Sequence, residues 1–280
     1  MLNGLEVKGS IGFFDSGYGG LTILKSVASL LPEFKYVYLG DNARAPYGNK
    51  SFDLIHEYTL EGVAFLFSQG CELVILACNT ASAKALRTIQ RHDLPRFAPE
   101  KRVLGVIRPS AEEIGAYSKS GFVGILGTEG TINSQSYVLE LKKTSPSTKV
   151  IQHACPLWVP LIEEEAYDTV AGRMIIAKDL EALFHENDRI DTIVLACTHY
   201  PIIQHIIEEL VPEGVRVLTQ GPLVAEKLKD YLLRHEALTL RLSTSASVEF
   251  FTTESTPYFN AHASKILGQA VKAQHIQLTS

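Results

Sequence analysis

The chain has 280 residues, of which 46% are hydrophobic and 20% are charged, with a formal net charge of −5 and a pI near 6.0. These are ordinary globular values, and the length suits one large or two ordinary domains. The acidic balance, without a dense stripe of Lys and Arg, argues against a nucleic-acid partner.

The N-terminal segment, residues 1–10, lacks a basic head followed by an apolar core, and no stretch approaches the roughly 18 apolar residues of a membrane helix. Four cysteines are too few for a disulfide scaffold in a chain of this size, so reduced thiols are expected. We therefore expect a cytoplasmic protein with no membrane partner.

Short apolar runs rich in β-branched and aromatic residues alternate with helix-like segments along the chain. The predicted strands are residues 11–14, 36–39, 73–77, 103–107, 123–126, 149–152, 192–196 and 215–218. The predicted helices are residues 21–31, 52–67, 81–90, 133–142, 169–184, 201–210 and 222–233. This alternation predicts an α/β fold with mainly parallel sheets flanked by helices.

The first predicted strand runs into a glycine-rich turn, GFFDSGYGGL, at residues 12–21. Gly17 and Gly19 fit the first two places of a G-x-G-x-x-G dinucleotide motif, but Thr22 occupies the third. On composition alone, a plain strand-to-helix turn explains the glycines as well as a binding loop does. What favours a binding role is the Asp15-Ser16 pair, a carboxylate and a hydroxyl at the strand end.

Two later strands end in a cysteine followed by polar residues. The stretch VILACNTAS carries Cys78, and the stretch IVLACTHYP carries Cys197 with His199 two residues beyond it. Either cysteine alone is better explained as core, and a single histidine as structural. Their matched settings favour chemistry, because ligands gather beyond the carboxyl ends of parallel strands and helix-start N–H groups stabilise a thiolate. Two opposed thiols suit the removal of a proton from one face of a carbon and its return to the other.

The distance between the two cysteine motifs along the chain indicates two similar lobes, each giving one thiol to a shared cleft that holds the active site. We place one domain at residues 1–105 plus 219–280 and the other at residues 106–218. No Cys-x-x-Cys or paired-histidine zinc motif occurs, so no metal is expected, and Cys71 and Cys155 are assigned to the core.

Six motifs in order, FFDSGYGGL, YLGDNARAPYG, LACNTAS, GTEGT, ACPLWVPLIE and LACTHYPI, resemble the glutamate racemase family. The resemblance runs from about residue 11 to residue 203 and implies a two-domain α/β enzyme that needs no cofactor. It further implies interconversion of L- and D-glutamate, supply of D-glutamate for bacterial peptidoglycan, and a homodimer.

The resemblance also implies roles for individual residues. Cys78 and Cys197 match the two catalytic acid/bases, with Asp15 assisting the first and His199 the second. Asp41 and Glu163 match further acidic positions, although spacing alone would make Glu163 a solvated residue. The substrate-binding positions implied are Asp15, Ser16, Tyr47, Gly48, Asn79, Thr80, Thr131, Thr198 and His199.

The chain departs from the family pattern in two segments near the expected lobe junctions. An acidic residue and a glycine are expected in GVIRPSA, where this chain has Arg108 and Ser110, and TQGPLVA at residues 219–225 is also unusual. These departures bear on domain motion, regulation and dimer packing more than on the reaction.

Three alternatives remain open at the level of sequence. An aspartate racemase would also use paired cysteines, but the Pro46-Tyr47-Gly48 and Cys-Thr-His patterns favour glutamate. A two-lobed protein that only binds an amino acid would leave two thiols unexplained. A pyridoxal-phosphate racemase would take Lys84 as its Schiff-base lysine.

Overall fold

The computed structural model describes residues 8–278. Residues 1–7, on which much of the signal-peptide prediction depends, and residues 279–280 lie outside the described residues. The strands are β1 (Ser10–Asp15), β2 (Tyr36–Gly40), β3 (Cys71–Leu76), β4 (Arg102–Gly105), β5 (Phe122–Gly127), β6 (Lys149–Ala154), β7 (Thr192–Ala196), β8 (Arg216–Leu218), β9 (Val248–Thr252) and β10 (Ala273–His275).

The α-helices follow the strands in alternation for most of the chain. They are α1 (Leu21–Leu30), α2 (Phe52–Ser68), α3 (Asn79–Lys84), α4 (Leu86–Thr88), α5 (Leu94–Phe97), α6 (Ile107–Tyr117), α7 (Glu129–Asn133), α8 (Ser136–Thr144), α9 (Trp158–Glu163), α10 (Val170–Glu186), α11 (Gln204–Leu210), α12 (Gln220–Arg234), α13 (Glu236–Thr239) and α14 (Thr256–Leu267). Short 3₁₀ turns span Asn42–Arg44 and Tyr200–Ile203, and a π-helical turn spans Ile89–Asp93.

The strands form two separate parallel sheets, which confirms the predicted two-lobed α/β fold. The first has the order β10-β9-β2-β1-β3-β4 and the second the order β6-β5-β7-β8. Every residue of β1, β5 and β7 is buried, as expected for strands covered by helices on both faces.

Alternating side chains of the central strands enter different hydrophobic clusters. In β1, Phe13 packs with α1, α12 and α14, while Phe14 packs on the opposite face with α2. In β5, Ile125 packs with α6 and α8, while Leu126 packs with α9 and α10. Burial of each such side chain contributes roughly 1.5–3 kcal/mol, so these faces fix where the polar strand ends lie.

Several of the sequence-based boundaries are wrong. The helix predicted at residues 133–142 begins at Ser136, after α7 ends at Asn133, and it reaches Thr144. The strand predicted to reach residue 107 ends at Gly105, because α6 begins at Ile107. The helix predicted at residues 81–90 begins earlier, at Asn79, and breaks after Lys84 into α4 and the π-helical turn.

Several elements were not predicted at all. They are strands β9 and β10 and helices α5, α6, α7, α9, α13 and α14. Pro109 in α6 and Pro160 in α9 both fall within the first turn, where the missing N–H costs little, so neither proline ends its helix.

The first sheet uses residues from both ends of the chain, and the second uses the middle. Strands β1–β4 and β9–β10 bracket the segment that contributes β5–β8. The domain limits near residues 105 and 218 stay a prediction, which this division of the strands supports. No helix in residues 8–278 combines the length and the apolar character needed to cross a bilayer.

Candidate active site

A cavity of about 180 Å³ lies between the two sheets, beyond the carboxyl ends of β1, β3, β5 and β7. This volume is below the 300–1,000 Å³ of drug-sized sites, so the cavity suits a small ligand. Its lining residues are Ser16, Ala45, Pro46, Tyr47, Gly48, Asn49, Cys78, Asn79, Thr80, Thr128, Glu129, Pro156, Val159, Pro160, Glu163, Cys197, Thr198 and His199.

Cys78 reaches this cavity from the first lobe. It follows β3 and is the N-cap residue of α3, and its thiol is 3.6 Å from the hydroxyl of Ser16. Burial and the nearby charge of Asp15 raise the pKa of Cys78 to about 12, so its resting form at neutral pH is the thiol.

Cys197 reaches the same cavity from the second lobe, where it follows β7. His199 lies beside it, with its Nε2 atom 3.2 Å from Oε1 of Glu163, off the direction of a good N–H···O bond. Burial disfavours a charged ring, but Cys197 and Glu163 outweigh it and raise the pKa of His199 to about 10. An imidazolium therefore stands next to the second thiol at neutral pH.

Asp15 lies behind the cavity wall. The side chain is fully buried and accepts hydrogen bonds from the Gly17 amide at 3.0 Å and from the Thr198 hydroxyl at 3.2 Å. Burial raises the pKa of Asp15, and the charge of His199 opposes that rise. Asp15 thus joins the turn after β1 to the turn after β7, and its charge acts on the Cys78 thiol through space.

Asp41 also lies behind the wall and holds Tyr47 in place. Its carboxylate accepts a hydrogen bond from the Tyr47 hydroxyl and pairs with Arg44 at 2.7 Å. Arg44 pairs as well with Glu61, so it is engaged away from the cavity. Arg44 therefore supports Tyr47 through Asp41, and no Lys or Arg lines the cavity in the described part of the chain.

Three threonines join the lobes beside the cavity. The hydroxyl of Thr80 is 2.9 Å from that of Thr128, and the fully buried Thr131 is 3.5 Å from Thr80. The Gly130 amide donates to the Gly48 carbonyl at 2.8 Å, and a Cβ on Gly48 would approach Thr128 to 2.8 Å. Glycine is needed at position 48 for this close approach of the two lobes.

The structure brings ten of the thirteen predicted site residues to the cavity wall. They are Ser16, Tyr47, Gly48, Asn79, Thr80, Cys78, Glu163, Cys197, Thr198 and His199. Asp15, Asp41 and Thr131 lie behind the wall, where they contact lining residues.

Eight lining residues were not predicted individually. They are Ala45, Pro46, Asn49, Thr128, Glu129, Pro156, Val159 and Pro160. All but one of them lie inside the motifs quoted from the sequence, so the motifs held the signal and Asn49 directly follows one of them.

Two groups outside the cavity bear on cofactors. Lys84 donates to the carbonyl of Lys50 at 2.6 Å and is not a lining residue, which removes the basis for a Schiff base there. The potential metal-ligand atoms of His153, Cys155 and Asp179 lie within 4.8 Å of one another. The spacing of these residues in the sequence did not predict this group. His153 and Asp179 already pair at 3.1 Å, and burial raises the pKa of Cys155, which opposes the thiolate that a metal requires.

Comparison with known proteins gives a consistent result. Residues 22–228 match the sequence model of the family described as Asp/Glu/Hydantoin racemase. The glutamate racemase of Geobacter metallireducens is 37% identical over 260 residues, covering 92% of this chain and 93% of that protein.

Solved structures of similar proteins superpose over nearly the whole chain. Glutamate racemase from Bacillus anthracis has a TM-score of 0.87 at 33% identity, covering 96% of this chain and 98% of the other. Glutamate racemase from Francisella tularensis, solved in complex with D-glutamate, has a TM-score of 0.83 at 30% identity, covering 99% and 98% respectively.

Proposed function

Because the chain belongs to the Asp/Glu/Hydantoin racemase family and is an amino-acid racemase, we propose that it interconverts L- and D-glutamate without a cofactor. The observation that carries this proposal is that Cys78 and Cys197, one from each lobe, line the same small cavity. One thiolate removes the Cα proton and the opposite thiol donates its proton to the other face of the resulting carbanion. The electron pair that the broken C–H bond leaves on Cα forms the new C–H bond with the proton from the opposite thiol.

The surroundings of the two thiols support opposite tasks. Cys78 rests as a thiol because burial and Asp15 raise its pKa to about 12, and Cys197 lies beside the His199 imidazolium. A positioned base contributes only about 10²- to 10⁴-fold to the rate. The remaining acceleration is assigned to N–H groups at the start of α3, which begins directly after Cys78.

The carboxylates of the substrate are held by dipoles in this proposal, since no Lys or Arg is among the cavity-lining residues described. Backbone N–H groups at helix starts bind carboxylates readily, and the hydroxyls of Ser16 and Thr80 add donors. Glu129 and Glu163 are the lining carboxylates able to pair with the ammonium group. Asp15 acts from behind the wall, so its binding role is indirect.

Glutamate is proposed over aspartate because the similar proteins named above are glutamate racemases. Incubation of each amino acid in heavy water, with D-product measured by chiral chromatography, distinguishes the two. Faster turnover of aspartate would overturn the choice of substrate. Absence of Cα hydrogen exchange with either amino acid at saturating concentration would leave a protein that only binds its ligand.

The two-thiol mechanism is tested by Cys78→Ala and Cys197→Ala, with Cys71→Ala as a matched control. Cys71 is equally buried but lies at the start of β3, 3.4 Å from the Ser10 hydroxyl and outside the cavity. We expect each cavity variant to lose at least about 100-fold in racemisation, the low end for a lost acid/base. Near-normal racemisation by either cavity variant, with the fold intact by circular dichroism, would contradict the mechanism.

A wider role follows from the same proposal. We assign the product D-glutamate to bacterial peptidoglycan synthesis, in the cytoplasm, and we propose a homodimer, all on the family resemblance. Rescue of a D-glutamate-requiring bacterial strain by the wild-type gene but not by Cys78→Ala tests the role. Light scattering coupled to size-exclusion chromatography tests the dimer, and a monomer at micromolar concentration would contradict it.

A further inference from the structure

A closed ring of hydrogen bonds lies directly behind the cavity at the junction of the lobes. Asn79 donates through Nδ2 to Oε1 of Gln220 at 2.6 Å, and Gln220 donates through Nε2 to the Tyr137 hydroxyl at 2.8 Å. Tyr137 in turn donates to Oδ1 of Asn79 at 2.8 Å, which completes the ring. All three side chains are buried, none more than 3% exposed.

Ser110 extends this ring. Its hydroxyl accepts from Nε2 of Gln220 at 2.9 Å and donates to the Val106 carbonyl at 2.7 Å. Ser110 and Gln220 fall in the two segments that depart from the family pattern, GVIRPSA and TQGPLVA. The two departures are therefore in contact with each other.

The ring fixes the orientation of both amides. Reversing the carboxamide of Asn79 would place its Nδ2 against the donating Tyr137 hydroxyl, and reversing that of Gln220 would place two donors together at Asn79. Buried polar networks in which every member is satisfied are rigid, because a lost partner leaves an unpaired group out of reach of water.

The ring also joins parts of both lobes. Asn79 begins α3 after the first-sheet strand β3, Tyr137 lies on α8 after the second-sheet strand β5, and Gln220 begins α12 where the chain leaves the second sheet. Asn79 lines the cavity next to Cys78, and its Nδ2 group uses one of its two hydrogens on Gln220. The second hydrogen is left for a ligand.

We propose that Gln220 is a positioning residue for the racemase, which holds the Asn79 carboxamide so that its remaining N–H faces the substrate in the cleft. The inference rests on the proposed function and adds to it. Gln220 does not line the cavity, so it acts entirely through Asn79, with Tyr137 as the third member of the ring.

The test is a double-mutant cycle of Gln220→Met with Asn79→Ala, read as KM and kcat for each glutamate enantiomer and as the Kd of D-glutamate by calorimetry. Methionine keeps the length of the side chain and removes both polar atoms. We expect Gln220→Met to raise KM and Kd about three- to tenfold, the effect of one misplaced hydrogen bond, with a smaller change in kcat. In the Asn79→Ala background the same substitution is expected to change Kd less than twofold.

Tyr137→Phe provides a second route into the ring if Gln220→Met folds poorly, and it is expected to raise Kd in the same way. Tyr36→Phe is its matched control, since the Tyr36 hydroxyl is equally buried but donates to the Leu31 carbonyl, away from the cavity. A purely structural role would lower the melting temperature in all of these variants without changing Kd in the folded fraction.

The outcomes separate the two levels of the proposal. Multiplicative effects in the double variant, or an unchanged Kd in both Gln220→Met and Tyr137→Phe, would overturn the positioning role. A wild-type protein that binds D-glutamate but racemises neither enantiomer would overturn the proposed function, while the binding cycle would still decide the role of Gln220.

Discussion

The charge on His199 depends on Cys197 and on Glu163, and Glu163→Gln should remove the part of that support that Glu163 supplies. The two atoms are 3.2 Å apart, and the side chains of His199 and Glu163 are only 4% and 23% exposed. At an effective dielectric of about 20, two unit charges at this distance attract by about 5 kcal/mol. Solvent access to Glu163 reduces this attraction, and Cys197 still supports the charge in the variant, so we expect the pKa of His199 to fall below its wild-type value of about 10.

The sign of the stability effect follows from the direction of the pKa shift. The pKa of His199 is about 10 in the folded chain against 6.5 unfolded, so its charge stabilises the fold fully below pH 6.5. That contribution is lost as the pH rises through 10. The variant should therefore be less stable than wild type at pH 6 by about 1.4 kcal/mol for each unit by which the pKa of His199 falls, and this difference should disappear above pH 10.

The assay combines NMR titration of the His199 ring with urea unfolding at pH 6 and at pH 10.5. Glu164→Gln is the control, because it removes the same charge from the adjacent, exposed position. A His199 pKa in Glu163→Gln within half a unit of the wild-type value would refute the assignment of Glu163 as its electrostatic partner. An equal loss of stability at both pH values would show that packing, rather than charge, is responsible.

Two further predictions concern stability. Asp41→Asn should lower the free energy of unfolding in urea by about 2 kcal/mol. This is less than the usual loss of about 3–5 kcal/mol for a broken buried ion pair, because Arg44 keeps its second partner, Glu61. The control Asp168→Asn, at an exposed ion pair, should have no measurable effect. Thr169→Ala should lower the free energy of unfolding in urea by about 1 kcal/mol, because it removes the N-cap side chain of α10. Thr169→Ser keeps a capping hydroxyl and should retain that stability. Equal losses in both variants would contradict the capping role.

The parts of the fold that the sequence predicted are those whose cause is local. Strands β3 and β7 contain the apolar runs of residues 73–76 and 193–196, which lead to Cys78 and Cys197, and burial on both faces requires such composition. Their parallel pairing then brings both thiols to carboxyl ends of strands. This is why a two-lobed fold and the central pair of the site could be inferred before any contact was known.

The parts of the fold and of the site that were not predicted depend on contacts between residues distant in sequence. Strand β10 is a three-residue edge strand, Ala273–His275, that pairs with β9 alone, and its composition gives no sign of a strand. The sequence around Asp41 does not indicate that its carboxylate pairs with Arg44 and accepts a hydrogen bond from Tyr47. Gln220 likewise meets Asn79 from 141 positions away, a separation over which spacing predicts nothing.

The electrostatics of the cleft connect the supporting residues to the reaction. A dicarboxylate substrate would be held more tightly by Lys or Arg, yet none lines the cavity in the part of the chain that the structure describes. Fixed cations would stabilise the glutamate ground state as strongly as the carbanion, and such uniform binding lowers KM without raising kcat. Oriented N–H dipoles at the Asn79 side chain, held by the ring, and at the start of α3 need no reorganisation when charge develops at Cα. On this view the side chains behind the wall support catalysis by fixing the dipoles.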